Sequence, residues 1–264
     1  MKVAYLPLST TIASVRLRAA IPARVLAALG FEPVTHDTPA DWIVLQKHGW
    51  PEEMATGHKH TLFDVCDDHF SGPHAEHYRK WCAKADKITC NSQVMADIIK
   101  AETGRDAAVI PDPYEGEELP PKVGRPLLWF GHRSNLPDLM PWIHRLGSIV
   151  VVSNHPADWV TQWSPEALRD AFKQTGMTVI PTGKSQAKSA NRAIEAIRAG
   201  HFPVCGRLPA YEELGLGCDD IPLGVERAQN DPQTRERIKQ LQSIVRERFS
   251  PMVIGEQWAE CFST

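Results

Sequence analysis

Side chains that commonly bind anions or take part in catalysis are most concentrated in one stretch of the second half, residues 181–214. Apolar residues recur there at helical spacing, which predicts a helix over 189–199. The free N–H groups at a helix start attract anions, and Lys184 and Lys188 lie close to this start. Glu195 follows Lys188 by about 10 Å along the helix axis. That separation suits a diphosphate at the helix tip and a ribose diol at the carboxylate.

A second interpretation of the same helix needs no ligand. Lys188, Asn191, Arg192 and Glu195 share its polar face. In this interpretation the face is solvated, and Lys188 and Arg192 pair with Glu195. The spacing alone leaves both interpretations open.

Polar residues are also concentrated in the first half, in TLFDVCDDHFSGPHAEHYRKW, residues 61–81. They follow a predicted strand, and ligands of parallel α/β sheets bind at the carboxyl ends of strands. Asp67, Asp68 and His69 are therefore candidates for contact with an acceptor, with Asp68 or His69 orienting a hydroxyl. The alternatives are a solvated loop and a zinc or manganese site, although the spacing of Asp and His over 64–77 matches no standard ligand pattern.

Two arginines follow the first predicted strand. Arg16 and Arg18 are expected at the same edge of the sheet, facing the acceptor. The alternative is that they are ordinary surface arginines of an amphipathic helix.

The elements that position these residues alternate along the chain, which predicts parallel sheets covered by helices. In the first half, the sequence predicts strands over 3–8, 41–46, 61–66, 87–90 and 107–110, and helices over 15–29, 75–84 and 93–103. In the second half, it predicts strands over 127–131, 149–153, 178–181 and 202–206, and helices over 137–146, 189–199 and 232–249 with further helices starting near Ser164 and Pro251.

Between the two halves the composition changes. Residues 111–126 contain five prolines and two glycines, which is typical of a linker. The sequence therefore predicts an α/β fold of two doubly wound Rossmann-like domains that face a central cleft. The predicted N-terminal domain covers 1–118, the linker 119–126 and the second domain 127–250, and a C-terminal helix over 251–264 returns towards the first domain.

Composition excludes several other classes of protein. The chain has 264 residues and a net charge of −3, so it lacks the strong basic excess of nonspecific nucleic-acid binders. Its six cysteines form no C-x-x-C pair, which favours reduced thiols over a disulfide framework. The N-terminus is predicted to be a strand rather than a signal peptide, and no apolar run approaches the ~18 residues of a membrane span. We therefore expect a cytoplasmic protein.

Several segments occur in an order that resembles a known family. They are ASVRLR after the first strand, ADKITCNSQVMADII followed by AAVIPDP, LLWFG at the start of the second half, KSANRAIEAIRAGHFPV followed by LPAYEEL, and a C-terminal helix with Trp258. Together they resemble the retaining glycosyltransferases of family 4, which have the GT-B architecture, over most of the chain. KSANRAIEAIRAG is the most specific of these segments.

The resemblance implies roles for residues around the predicted donor. Gly131 would let the backbone approach the diphosphate, and Arg133 would neutralise its charge. Lys188, Ser189 and Ala190 would hold the diphosphate through the helix N-terminus.

Further along this helix, the resemblance implies that Glu195 matches the second glutamate of the family's paired motif, which binds the ribose hydroxyls. Lys184 and Asn191 complete the donor-binding candidates. The chain departs from the family at two places. The first glutamate of the motif falls on Ala187, and no Lys-Gly follows LLWFG.

The resemblance thus implies transfer of a sugar from a nucleotide-diphosphate donor, with retention of configuration. The first domain would take the acceptor and the second the donor. Catalysis would consist of electrostatic stabilisation of the departing diphosphate, without a bound metal or a tightly bound cofactor. The candidate catalytic residues are Asp68, His69, Arg133 and Lys188. A glycan, a lipid-linked sugar, a small molecule and a modified nucleic-acid base all remain open as acceptor.

Two alternatives belong to other functional classes. The chain could be a nucleotide-sugar-binding protein of the same fold without transfer activity, which the alanine at position 187 favours. It could also be a metal-dependent hydrolase that uses the Asp and His residues over 64–77.

Overall fold

The computed structural model describes residues 1–6, 12–47, 51–183 and 185–263. The chain forms two compact units. Unit 1 comprises Met1–Pro113, Ala187–Ser189 and Phe249–Thr264, and unit 2 comprises Tyr114–Gln186 and Ala190–Arg248. The chain first passes from unit 1 to unit 2 after Pro113, which lies before the predicted linker. The residues that follow Pro113 are hydrogen-bonded within unit 2. For example, the N–H of Leu119 donates to the Arg198 carbonyl.

Unit 1 is built on one parallel sheet. Its strands are β1 (Lys2–Tyr5), β2 (Glu32–Thr35), β3 (Trp42–Gln46), β4 (His60–Val65), β5 (Lys87–Cys90) and β6 (Ala108–Val109). Their order is β2-β1-β3-β4-β5-β6, and every neighbouring pair is parallel. Strand β2 was not predicted, because its sequence EPVT is short and contains a proline. An edge strand tolerates proline because one side of it has no ladder partner.

Unit 2 has a second parallel sheet. Its strands are β7 (Leu127–Phe130), β8 (Ile149–Ser153), β9 (Thr161–Gln162), β10 (Met177–Ile180) and β11 (Phe202–Cys205). Their order is β11-β10-β7-β8-β9, again with parallel neighbours. The two-residue strand β9 was not predicted.

Helices connect the strands of each sheet or follow the last strand of the chain. They are α1 (Ala13–Val15), α2 (Ile21–Ala28), α3 (Ala75–Lys84), α4 (Gln93–Thr103), α5 (Leu136–Leu139), α6 (Ile143–Leu146), α7 (Pro165–Gln174), α8 (Asn191–Arg198), α9 (Pro209–Glu212), α10 (Ile221–Asn230), α11 (Thr234–Phe249) and α12 (Pro251–Ser263). A π-helical turn over Arg16–Ala20 joins α1 to α2, and 3-10 turns cover Glu52–Ala55 and Arg133–Asn135. Helices α3 and α4 have the predicted bounds.

Alternation along the strands gives each sheet two apolar faces, because successive side chains of a strand point to opposite sides. In unit 1, Ile43 packs in one core with Trp81 of α3, and Val44 packs in the other with Trp258 of α12. In unit 2, the two cores divide neighbouring residues of β7 in the same way. Both sheets are therefore covered on both faces, which confirms the predicted fold class.

Several helices of unit 2 differ from prediction. The helix predicted over 137–146 is divided into α5 and α6, because Pro141 lies between them and cannot supply the N–H that a continuous helix needs. Helices α9 and α10 were not predicted at all. The other predicted helices are present, with ends shifted by a few residues.

A buried arginine joins several elements of unit 1. Arg18 is 1% exposed. Its Nε and Nη2 donate to the two carboxylate oxygens of Asp64, at 3.1 and 2.6 Å. Its Nη1 donates to the carbonyl of Ile110 and, at 3.4 Å, to Asp112. The guanidinium also lies 5.2 Å from the ring centroid of Trp258.

The prediction that Arg18 faces an acceptor is therefore wrong, and so is the alternative of a surface arginine. Its donors are directed to groups inside unit 1 that are distant in the sequence. Burial raises the pKa of the Asp112 carboxyl, and the charge of Arg18 acts in the opposite direction. The guanidinium of Arg18 thus offsets the free-energy cost of burying two carboxyl groups, those of Asp64 and Asp112.

The six cysteines are all free thiols, as predicted. Cys66, Cys82, Cys90 and Cys205 are buried, and Cys218 and Cys261 are half-buried. Among the helices in the described parts of the chain, none has both the length and the apolar character needed to cross a bilayer.

Replacing Arg18 with methionine should destabilise the protein strongly, since Asp64 and Asp112 would stay buried without their cation. We expect the free energy of unfolding to fall by about 3–5 kcal/mol in urea denaturation. Arg24→Met, at an exposed position of α2, is the matched control and should change it by no more than about 0.5 kcal/mol. Equal stability of the two variants would contradict the role given to Arg18.

Candidate functional site

The loops that follow three neighbouring strands of unit 2 leave from one edge of its sheet. Strands β10, β7 and β8 lie side by side and are parallel, so their carboxyl ends coincide. Gly131 follows β7, Asn154 follows β8, and residues 181–183 follow β10. Ligands of parallel α/β sheets bind at this edge.

Helix α8 begins in the chain after β10 and has an uncapped start. Its first residue is Asn191, and the N-cap residue Ala190 has no side-chain oxygen that could accept a hydrogen bond. The prediction that the helix includes Ser189 was wrong, since the helix begins at Asn191. The Ser189 hydroxyl donates to Asp112 at 2.6 Å, within unit 1. The first-turn N–H groups of α8 therefore carry the partial positive charge of a helix start without a side-chain cap.

Arg192, in the first turn of α8, approaches the glycine after β7. A Cβ on Gly131 would lie 3.4 Å from Nη1 of Arg192 and 3.4 Å from the ring of Trp129. The Arg192 guanidinium also hydrogen-bonds the Tyr211 hydroxyl. Its Nη1 is buried and has no hydrogen-bond partner among the described residues. A buried donor without an acceptor is costly, and an anionic ligand would supply the acceptor.

Glu195 lies one turn further along α8. Its Oε1 accepts the backbone N–H of Glu115 at 2.5 Å, and its Oε2 accepts that of Gly116 at 3.1 Å. Burial raises the pKa of this carboxyl to about 7, although both N–H donors act in the opposite direction. Its charge therefore changes near neutral pH.

Arg133 is on the loop after β7. Its backbone N–H donates to the side-chain oxygen of Asn154 at 2.8 Å, which ties the loops after β7 and β8 together. The Arg133 side chain is exposed. The guanidinium is thus available to a ligand at this edge.

The predicted donor residues divide between the two units. Gly131, Arg133, Ala190, Asn191 and Glu195 belong to unit 2, Lys188 and Ser189 belong to unit 1, and Lys184 lies outside the described residues. Within unit 2, the structure brings Gly131 against the first turn of α8 and joins the loop of Arg133 to that of Asn154. Ala187, at the place of the family's first glutamate, is buried in an apolar core of unit 1.

The predicted acceptor residues of unit 1 follow β4. Asp67 accepts a hydrogen bond from Nζ of Lys47 at 2.8 Å, and Lys47 has a φ of 62°, an unusual value for a residue with a side chain. Asp68 accepts the backbone N–H of Phe70 at 3.1 Å and so stabilises its own loop. Arg16 is half-buried in the π-helical turn. The assignment of these residues to an acceptor stays a prediction.

His69 lies in an aromatic cluster beside this loop. Its ring centroid is 5.8 Å from that of His74 and 5.1 Å from that of Tyr78. Burial lowers the pKa of His69, which favours the neutral imidazole. A neutral imidazole can accept a proton from a hydroxyl.

Within residues 1–6, 12–47, 51–183 and 185–263, no group of three or more His, Cys, Asp or Glu side chains is placed to hold a metal ion. The Asp and His residues over 64–77 that suggested a metal hydrolase therefore do not form such a group in this part of the chain.

Arg192 and Gly116 contribute to this site although neither was predicted from the sequence as a site residue. Arg192 was placed on the polar face of the predicted helix. Its position in the first turn of that helix was the sequence feature that could have identified it as a site residue. Gly116 lies in the proline-rich segment that was interpreted as a linker. Nothing in that segment's composition indicates that its backbone binds a carboxylate.

No protein-family model and no curated protein matches the chain. Solved structures with two parallel-sheet α/β domains do match it. Anabaena HepE in complex with UDP-glucose is 14% identical with a TM-score of 0.71, over 100% of this chain and 99% of HepE. T4 phage BGT in complex with UDP and Mn²⁺ is 12% identical with a TM-score of 0.64, over all of both chains. A Rickettsia africae glycosyltransferase is 10% identical with a TM-score of 0.63, over 99% of this chain and 97% of that protein.

At these identities, the likeness shows the fold. It is the GT-B type of two parallel-sheet α/β domains, as the sequence predicts.

The raised pKa of Glu195 makes its contribution to stability depend on pH. The pKa rises from 4.5 to about 7 on folding, so the folded chain binds more protons than the unfolded chain between these values. The contribution of this group to the free energy of unfolding therefore falls as the pH increases through that range. The glutamine of Glu195→Gln cannot ionise. The Tm of this variant should therefore rise relative to that of the wild type as the pH increases from 5 to 8.

Glu226→Gln, at an exposed position of α10, is the control and should follow the wild type at both pH values. Differential scanning calorimetry at the two pH values makes the comparison. If the difference in Tm between Glu195→Gln and the wild type is the same at pH 5 and pH 8, the burial of an ionisable carboxyl is contradicted.

Proposed function

We propose that the chain is a glycosyltransferase that transfers a sugar from a uridine-diphosphate donor. The observation that carries this proposal is the buried Nη1 of Arg192, which has no partner in the described part of the chain, next to the uncapped start of α8. Both present positive charge at the sheet edge where ligands of this fold class bind. HepE is bound to UDP-glucose and BGT to UDP in structures of the same fold, which supports a uridine-diphosphate sugar as the donor.

The donor diphosphate is proposed to bind to unit 2. Arg192 and the first-turn N–H groups of α8 would contact its oxygens, and Gly131 leaves room for them because it has no Cβ. Arg133 would add a second, solvent-exposed cation. Glu195 would accept hydrogen bonds from the ribose hydroxyls, as the resemblance to family 4 implies.

The chemistry required of these residues is electrostatic. When the bond between the sugar and the diphosphate breaks, negative charge grows on the leaving group. A fixed guanidinium and oriented N–H groups stabilise that charge without reorganising. In unit 1, Asp68 and His69 are proposed to orient the acceptor hydroxyl. Retention of configuration is proposed from the resemblance, and ¹H NMR of the first-formed product measures it.

Loss of the Arg192 charge should weaken binding of the diphosphate. We expect Arg192→Met to bind UDP at least about tenfold more weakly than the wild type by isothermal titration calorimetry, because a hydrogen bond from a charged donor is lost. The control is Arg235→Met, an exposed arginine of α11, which should keep the wild-type Kd. Titrations with and without Mn²⁺ test the metal dependence.

Two results would overturn the proposal. One is an unchanged Kd in Arg192→Met. The other is a wild-type protein that binds neither UDP nor UDP-sugars.

A nucleotide-sugar-binding protein without transfer activity is the second candidate function. It is favoured by Ala187, since an alanine buried in an apolar core supplies no carboxylate where the family has its first glutamate. Release of UDP from UDP-glucose, with and without a panel of acceptors, separates the two functions. Binding without release under every condition would favour the binding protein.

A further inference from the structure

Residues 114–119, here called the strap, are bound along two helices of unit 2. The N–H of Leu119 donates to the carbonyl of Arg198 at 2.9 Å, and the Leu119 carbonyl accepts from Gln242 of α11 at 2.8 Å. Glu118 forms ion pairs with Arg198 and, at 2.6 Å, with Arg246. These contacts fix the C-terminal half of the strap.

The N-terminal half of the strap lies against the same helix. The Arg198 guanidinium is 4.1 Å from the ring centroid of Tyr114. The next two residues donate their backbone N–H groups to the two oxygens of Glu195, one to each. A Cβ on Gly116 would lie only 2.9 Å from Oε2 of Glu195, so the close approach depends on glycine at this position.

The geometry of these two bonds leaves the carboxylate with accepting capacity. A carboxylate has two oxygens with about four lone-pair sites in all, and the strap uses one site on each oxygen. Among the described residues, no further donor fills the second site on either oxygen, and a pair of adjacent hydroxyls can fill both.

We infer that the strap is a positioning element for the donor's ribose, in which the Glu115 and Gly116 amides hold the Glu195 carboxylate in the orientation that receives the 2′- and 3′-hydroxyls. This inference rests on the proposed function. It assigns to Glu115 and Gly116 a role through their backbone, which explains why their side chains gave no signal.

The test compares the Kd values of UDP and 2′-deoxy-UDP by isothermal titration calorimetry. The wild type should prefer UDP by about tenfold, the scale of one hydrogen bond to a charged group, and Glu195→Ala should abolish the preference. Gly116→Ala moves the carboxylate, so it should weaken the binding of UDP, which offers two hydroxyls, more than that of 2′-deoxy-UDP, which keeps only the 3′-hydroxyl, and reduce the preference towards one.

Glu117→Ala is the matched control, because Glu117 belongs to the strap but pairs with Lys173 rather than with Glu195. It should keep the preference for UDP. Glu115→Pro is a second variant, which removes the N–H that donates to Oε1 and should also reduce the preference, even if Gly116→Ala fails to fold.

The outcomes separate the two proposals. A wild-type preference that survives in both Gly116→Ala and Glu115→Pro overturns the positioning role and leaves the proposed function standing. Tighter binding of UDP by Gly116→Ala also overturns it, because the strap would then compete with the ribose. A wild type that binds no uridine diphosphate overturns the proposed function and the inference together.

Discussion

Parallel strand pairing is the constraint on which the rest of this structure depends. Because all strands of a sheet run in one direction, all the loops that follow them leave from one edge. In unit 2 this rule brings Gly131 and Asn154 to the same edge, although they are distant in the sequence. In unit 1 it places Lys47 after β3 next to Asp67 after β4, where they form an ion pair. The polar residues need only follow a strand to be brought together.

Within unit 2, helix α8 places two groups of opposite character on successive turns. Arg192 holds a fixed positive charge, and one of its donors finds no acceptor among the residues that the structure describes. Glu195 is an acid whose charge is opposed by burial and supported by backbone amides. The first arrangement suits a permanently charged ligand. The second suits neutral hydroxyls, because they can donate to the carboxylate without bringing in another charge. A nucleoside diphosphate has both kinds of group.

The fold was predictable because hydrophobic periodicity and strong local signals determine most of its elements. Ser92 caps α4 through the N–H of Met95, and Gly104 ends the helix with a φ of 71°. Such signals act over a few residues and can be recognised in the sequence. The pattern failed where a short element gains its stability from pairing, as in β2, or where a proline divided a helix, as between α5 and α6.

The site was less predictable, because its contacts connect distant residues. The order of motifs selected α8 and Glu195, but the backbone partners of Glu195 come from a segment about 80 residues earlier in the sequence. Arg18 shows the same limit, since its acids come from β4 and from the residues after β6. Neither the type of a residue nor its spacing reveals whether a charge will meet a ligand or another buried charge.

The division of the chain into units has a practical meaning for fragment work. Neither unit is a continuous stretch, because Ala187–Ser189 belong to unit 1 although unit 2 surrounds them in sequence, and α12 returns to unit 1 at the end of the chain. A fragment that stops at Pro113 would lose the indole that covers Arg18 and the hydroxyl that donates to Asp112. Cutting the gene at the apparent linker would therefore release a first half with an open core and an ionic cluster that has lost its cover and one of its hydrogen-bond donors, so recombinant work on this protein calls for the whole chain.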